Sequence, residues 1–264
     1  MFLLSAFLAY VSIVPHPKEV TEIEGQYWAL IDGMQIGYSS GSKEFTKELA
    51  QFFSDSIYTP TGIRLSVVES SNVKIGIQLD SSDDDEYHLL MDESLVKITG
   101  KNRELVFDGF QTLLQLFPPQ IYSNKTVKQS IEWKAPCVTV HDKPRLQWRG
   151  LMIDVCRHFF DVDTVKSIID GMSHFKLNKL HLHLTEDQGW RIELKKFPNL
   201  TKYGSIRDAS PKHRAPGELD GIPYGPYYYT EEQIRDIIEY ASTRSITVMP
   251  EIEMPGHALA YLSA

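Results

Sequence analysis

Three segments share one form, an apolar alternating run that ends abruptly in ionisable side chains. Residues 149–160 read RGLMIDVCRHFF and end in Asp154, Arg157 and His158. Residues 177–191 read LNKLHLHLTEDQGWR; Leu180, Leu182 and Leu184 alternate with His181 and His183, then Glu186, Asp187, Gly189 and Trp190 follow. Residues 245–257 read SITVMPEIEMPGH and end in Glu251, Glu253 and His257. Alternation with period two predicts strands. Between them lie helical patterns. Val162, Val165, Ile168, Ile169 and Met172 follow Asp161 and Asp163, either of which can cap, and Ile234, Ile237, Ile238 and Ala241 follow Thr230, Glu231 and Glu232. Strands that alternate with helices and deliver polar groups at their carboxyl ends build the active face of a (β/α) barrel.

The rest of the chain narrows the function. A net charge of −8 argues against a general nucleic-acid binder, whereas a neutral polar ligand suits it. Cys137 and Cys156 are too few for a disulfide framework. One bridge is open to them, but two unpaired buried thiols are the preferred reading. The apolar start, MFLLSAFLAYVS, reads either as a signal segment over residues 1–12 without its basic region or as a short buried strand. It is too short to span a bilayer. Asn124 and Asn199 each head an N-x-T sequon, a motif short enough to arise by chance.

Residues 13–144 predict a compact α/β domain of about four strands and two helices. Strands are expected at 27–31, 63–68 and 73–79, and a hairpin at 86–91 and 95–99 around Asp92 and Glu93. Helices are expected at 43–56 and 105–117, the second stopped by Pro118 and Pro119. The acidic run at 81–86 lacks the glycine and spaced ligands of a calcium loop and reads as a solvated turn. A polar stretch from 123 leads to a boundary at 141–144. Residues 145–264 then hold three βα units, whereas a closed barrel needs eight strands and about 250 residues. The expected architecture is a small α/β N-terminal domain followed by a truncated (β/α)8 TIM barrel, the amino-terminal part of a longer protein. The long excursion at 197–229, rich in Pro, Gly and Tyr, is expected to shape a binding mouth or to be mobile.

The motifs RGLMIDVCRHFF, LNKLHLHLTEDQGWRIELKKFPNLTKYGS and VMPEIEMPGHALA, with the earlier FDGFQTLLQLFPPQIY, resemble the glycoside hydrolase family 20 β-N-acetylhexosaminidases in content, order and spacing. The resemblance covers residues 13–264. It implies removal of terminal non-reducing N-acetylglucosamine or N-acetylgalactosamine with retained configuration, by the substrate-assisted route that departs from the two-carboxylate mechanism. In that route the sugar's acetamido oxygen attacks the anomeric carbon, an Asp orients the acetamido group and the adjacent Glu is the general acid. That Asp-Glu pair is expected downstream of Ala264, so no catalytic residue is expected within this chain and activity of the chain alone is in doubt. A carbohydrate substrate is implied, with no cofactor and no metal. A secreted, periplasmic or lysosomal location is expected.

The resemblance places Arg157 where the family grips the sugar's hydroxyls, a task suited to its planar fork. The alternative is a plain salt-bridge partner for Asp154. Glu186 matches an acidic residue near the general acid, and His257 an imidazole that hydrogen-bonds toward it. The alternatives are a helix N-terminal charge and a core histidine. Asp187, Asp154, His183 and Glu251 are expected to support the site, and Trp190 to pack beneath the loop. Two rival functions stay open: a non-catalytic glycan-binding homologue, and a metal-dependent amidohydrolase using His181 and His183 as an HxH pair.

Overall fold

The computed structural model describes residues 11–39, 44–74, 76–210, 212 and 218–264. Most of the expected signal segment therefore lies outside the described residues. The chain divides into two units, Met1–Arg145 and Leu146–Ala264. Among the described residues no helix is long and apolar enough to cross a membrane.

Among the described residues, the first unit holds a seven-stranded mixed sheet with two α-helices packed into its core. The strands are β1 (Glu19–Ala29), β2 (Gln35–Tyr38), β3 (Ser66–Glu69), β4 (Gly76–Ser81), β5 (Tyr87–Met91), β6 (Leu95–Gly100) and β7 (Lys134–Asp142), in the order β1-β7-β5-β6-β4-β2-β3. Helices α1 (Phe45–Thr61) and α2 (Arg103–Gln115) bury Leu49, Phe53, Ile57, Phe107, Phe110 and Leu113 with Ile36, Ile77, Leu79, Leu89, Val96, Ile98 and Val140 of the sheet. Phe53 and Phe110 stack with ring centroids 3.6 Å apart.

The expectation of about four strands is corrected to seven among the described residues. β1 runs along the sheet edge with most residues exposed, and a register shift between Glu22 and Tyr27 breaks its alternation. β2 is four residues long, below what periodicity resolves. β7 lies in the stretch read as boundary, because Pro136, Thr139 and His141 dilute its apolar content; it pairs with both β1 and β5. Helix α1 also runs past residue 56 and closes at Gly62, whose φ of 73° a side chain would disfavour.

The second unit has a three-stranded parallel sheet in the order β12-β9-β8, from β8 (Gly150–Asp154), β9 (Lys179–His183) and β12 (Thr247–Glu251). Helices α3 (Val162–His174) and α5 (Glu231–Thr243) connect them. Asp161 caps α3 by accepting the Thr164 amide at 2.8 Å, and Thr230 forms a capping box with Gln233 at the start of α5. Leu180, Leu182 and Leu184 face Val165, Ile169, Met172, Ile237 and Ala241 in one core. All three strands look buried in sequence, but only the central β9 is: Leu151, Met152 and Met249 are exposed on the flanking strands. The short ladder β10 (Thr185–Glu186) and β11 (Gly189–Trp190) follows β9, α4 (Asn199–Lys202) lies in the excursion, and α6 (Leu259–Leu262) follows β12.

Candidate active site

The parallel register aligns the ends of the three strands. Asp154 of β8 pairs with His183 of β9, and His183 with Glu251 of β12, so a carboxylate, an imidazole and a carboxylate stand in one row. Past β8 the chain turns sharply because Asp154 Oδ1 accepts the backbone N–H groups of Cys156 at 2.9 Å and Arg157 at 3.1 Å. The turn brings Arg157 back over the strand ends. Its Nη1 donates to Asp154 Oδ2 at 2.6 Å, and its Nη2 lies 2.6 Å from Glu186 Oε2.

Glu186 is the centre of the cluster. Its side chain is 2% exposed, and it is not a helix N-terminal charge, since it lies in the β10–β11 ladder. Oε1 accepts the Asp187 amide at 2.9 Å and faces His257 Nδ1 at 2.7 Å; Oε2 faces Arg157 and His183 Nε2, the latter at 3.1 Å. Burial pushes the Glu186 carboxyl up, but the Asp187 amide, the two imidazoles and the Arg157 charge outweigh it and hold the group below the usual carboxylate range. Asp154 is held low in the same way, burial opposing the stronger effect of the Arg157 amide and guanidinium and the Cys156 amide.

His257 is half exposed, not a core histidine, and takes a φ of 53°, an uncommon value outside glycine. Its loop is tied at two points, to β10 and to the residue after it: the Glu253 amide donates to Thr185 Oγ1 at 2.9 Å, and the Leu259 amide to Asp187 Oδ1 at 3.0 Å. Asp187 thus supports the site through the loop that carries His257. With Nδ1 on Glu186, His257 keeps Nε2 for another partner.

His183 is buried between two carboxylates, with Nδ1 at 2.5 Å from Glu251 Oε1 and Nε2 on Glu186. His181 is paired with the other oxygen of Glu251. Among the described residues, two groups have donor atoms close enough to share a metal: His183, Glu251 and Glu253, and Asp154, Cys156 and His183. The donor chemistry fits a metal poorly. Both ring nitrogens of His183 face carboxylates, and His181 turns to the same Glu251. The Cys156 thiol, pushed up to about 12 mainly by burial, donates to the His183 carbonyl at 3.2 Å. The metal reading therefore finds its ligands already engaged with one another.

Trp190 is buried, its indole N–H donating to the Ile192 carbonyl at 2.5 Å and its ring edge-on to Tyr261. Sequence reasoning missed Arg191, which is fully buried; the available signal was a cation set directly between two apolar side chains, Trp190 and Ile192. Its Nη1 donates to the carbonyls of Ser205 and Tyr227, and its Nη2 to those of Cys156 and Gln188, so it knits the excursion to the turn after β8. A Cβ at Gly189 would overlap the Arg191 guanidinium. Gly189→Ala is expected to destabilise the unit by about 1–3 kcal/mol, the usual range for overpacking. Denaturant midpoints of the two proteins check this, and unchanged midpoints would remove Arg191 from the account.

The second unit is thus a barrel-type βα arrangement whose strand ends converge on Arg157, Glu186 and His257. Comparison with known proteins is more specific. Residues 10–143 match "Glycosyl hydrolase family 20, domain 2" and residues 146–264 match "Glycosyl hydrolase family 20, catalytic domain". The chain belongs to glycosyl hydrolase family 20. It is 41% identical over 260 residues to a beta-hexosaminidase of Porphyromonas gingivalis, covering 96% of this chain and 31% of that protein. It also resembles the GH20 beta-N-acetylhexosaminidase of Streptomyces coelicolor A3(2), with TM-score 0.80 and 34% identity over 95% of this chain and 48% of that one. Similar again is a Streptomyces plicatus beta-hexosaminidase mutant solved in complex with product GlcNAc, with TM-score 0.80 and 35% identity over 95% of this chain and 47% of that one. The chain thus spans less than half the length of these relatives.

Proposed function

We propose that this chain supplies the sugar-gripping and supporting part of a β-N-acetylhexosaminidase site, which removes terminal N-acetylglucosamine or N-acetylgalactosamine with retention. The observation that carries the reading is the state of Arg157. Its guanidinium is pinned from within by Asp154 and Glu186, yet its side chain remains 43% exposed. A fixed, half-exposed fork at strand ends still presents N–H donors to a pair of neighbouring hydroxyls. The relative solved with GlcNAc supports the sugar class. Glu186 orders the His257 ring, whose free Nε2 suits a hydrogen bond from a general acid. The apolar start supports a secreted, periplasmic or lysosomal setting.

The test is hydrolysis of 4-nitrophenyl N-acetyl-β-glucosaminide by the protein expressed from its full reading frame, with the anomer of the first-formed sugar read by NMR. Turnover with a β-product is expected. Sugar binding without turnover by the folded protein favours the glycan-binding alternative, and neither binding nor turnover overturns the reading.

A further inference from the structure

The turn that carries Arg157 makes few bonds of its own; residues of the excursion hold it. Arg207 Nη2 donates to the Arg157 carbonyl at 2.9 Å, and its Nη1 approaches the carbonyls of Cys156 at 3.4 Å and Gln188 at 3.3 Å. The Phe159 amide donates to the Tyr224 hydroxyl at 2.7 Å, and the Tyr229 hydroxyl to the Phe160 carbonyl at 2.5 Å. Arg191 grips the Cys156 carbonyl from beneath at 2.8 Å. Arg207 and Tyr224 lie 17 positions apart in sequence (224 minus 207) yet behave as one piece. Their backbones exchange two hydrogen bonds, Arg207 N–H to Tyr224 carbonyl at 3.0 Å and Tyr224 N–H to Arg207 carbonyl at 2.8 Å. The guanidinium carbon lies 3.9 Å from the Tyr224 ring centroid, and Arg207 Nε donates to Ser210 Oγ at 2.9 Å. A stacked arginine whose fork is spread over three carbonyls loses little further freedom in holding them.

We infer that Arg207 and Tyr224 form a clamp on residues 156–160 and are positioning residues for Arg157, setting where its guanidinium lies. The excursion is then part of the machinery of the site, in addition to any part it plays in shaping a mouth. Asp154 and Arg191 hold the start of the turn and the clamp holds its far side, so the Arg157 backbone is held at both ends. The inference rests on the reading of Arg157 as the sugar-gripping residue, because only then does its position affect turnover.

Two readouts test it in the full-reading-frame protein. The first is hydrogen–deuterium exchange of the peptide spanning residues 156–160. Arg207→Ala and the milder Tyr224→Phe, which keeps the ring and removes only the hydroxyl, are both expected to speed exchange there. Wild-type exchange in a folded Tyr224→Phe protein overturns the clamp, and this readout needs no catalytic activity. The second is a double-mutant cycle on 4-nitrophenyl N-acetyl-β-glucosaminide. Arg207→Ala is expected to lower kcat/KM on the order of tenfold or more, mainly through KM, because a grip on hydroxyls that do not react serves ground and transition states alike. In an Arg157→Ala background the same change is expected to cost less than about twofold, because its route of action is gone. A full additional loss in that background overturns the positioning role. If Arg207→Ala does not fold, Tyr224→Phe takes its place in the cycle. A wild-type protein without turnover sinks the proposed function and leaves exchange to decide the clamp.

Discussion

Arg157→Ala is expected to lower kcat/KM for an N-acetyl-β-glucosaminide by about two to three orders of magnitude. A hydrogen bond from a charged donor contributes about 1.5–3 kcal/mol, and about 1.4 kcal/mol is tenfold in rate. Losing two donors to the sugar therefore accounts for a hundredfold or more. Arg157→Lys is expected to recover little, since an ammonium has no planar fork with which to bridge Asp154 and Glu186 and still meet two hydroxyls. Steady-state kinetics of both variants, with thermal melts to confirm folding, check this. Near-wild-type kcat/KM in a folded Arg157→Ala protein would return Arg157 to the role of a plain partner for Asp154.

Glu186→Ala is expected to cost stability through its buried neighbours, about 1–3 kcal/mol for each buried donor left without an acceptor, while Arg157, half exposed, keeps Asp154. The change strips the acceptor from the Asp187 amide, His183, His257 and Arg157 at once. Denaturant unfolding followed by fluorescence measures the loss. The same carboxylate predicts a pH dependence of definite sign. Its folded value lies below the ordinary 4.5, so the unfolded chain binds its proton first as pH falls. Its contribution is therefore whole above about pH 4.5 and is lost as pH drops through the lower folded value. Asp154, also depressed, acts in the same direction below its ordinary 3.8. As pH falls below about 4.5, wild type should lose stability more steeply than Glu186→Ala, and parallel pH profiles would show that Glu186 gains nothing from its neighbours.

Particular residues show how far the chain could be read unaided. His181 and His183 alternate with leucines, and that period alone puts both imidazoles on the face opposite the apolar core. Asp154, Arg157, Glu186 and His257 stood out because charges at the ends of apolar runs have no local reason to be there. β1 and β7 were less legible, since an irregular edge strand and its proline-containing partner keep no clean alternation. Arg191, Arg207 and Tyr224 were not legible as site residues. Each acts on backbone carbonyls or amides, and a backbone group has no letter in the sequence.

Periodicity and the placement of charged residues by themselves determined the α/β class, the change of character near residue 145, the strands β8, β9 and β12, and the identity of the polar groups at their ends. Those properties are local, because a strand's alternation and a helix's stripe are written within ten or so residues. Only the tertiary structure decided who meets whom. It joined Arg157 to Glu186, 29 positions apart (186 minus 157), and Glu186 to His257, 71 apart. It turned Asp187 into a tether for the His257 loop, and set the excursion's arginine and tyrosine on the turn that carries Arg157. These pairings depend on parallel register and on the burial of one carboxylate among four donors, and neither exists until the strands have come together.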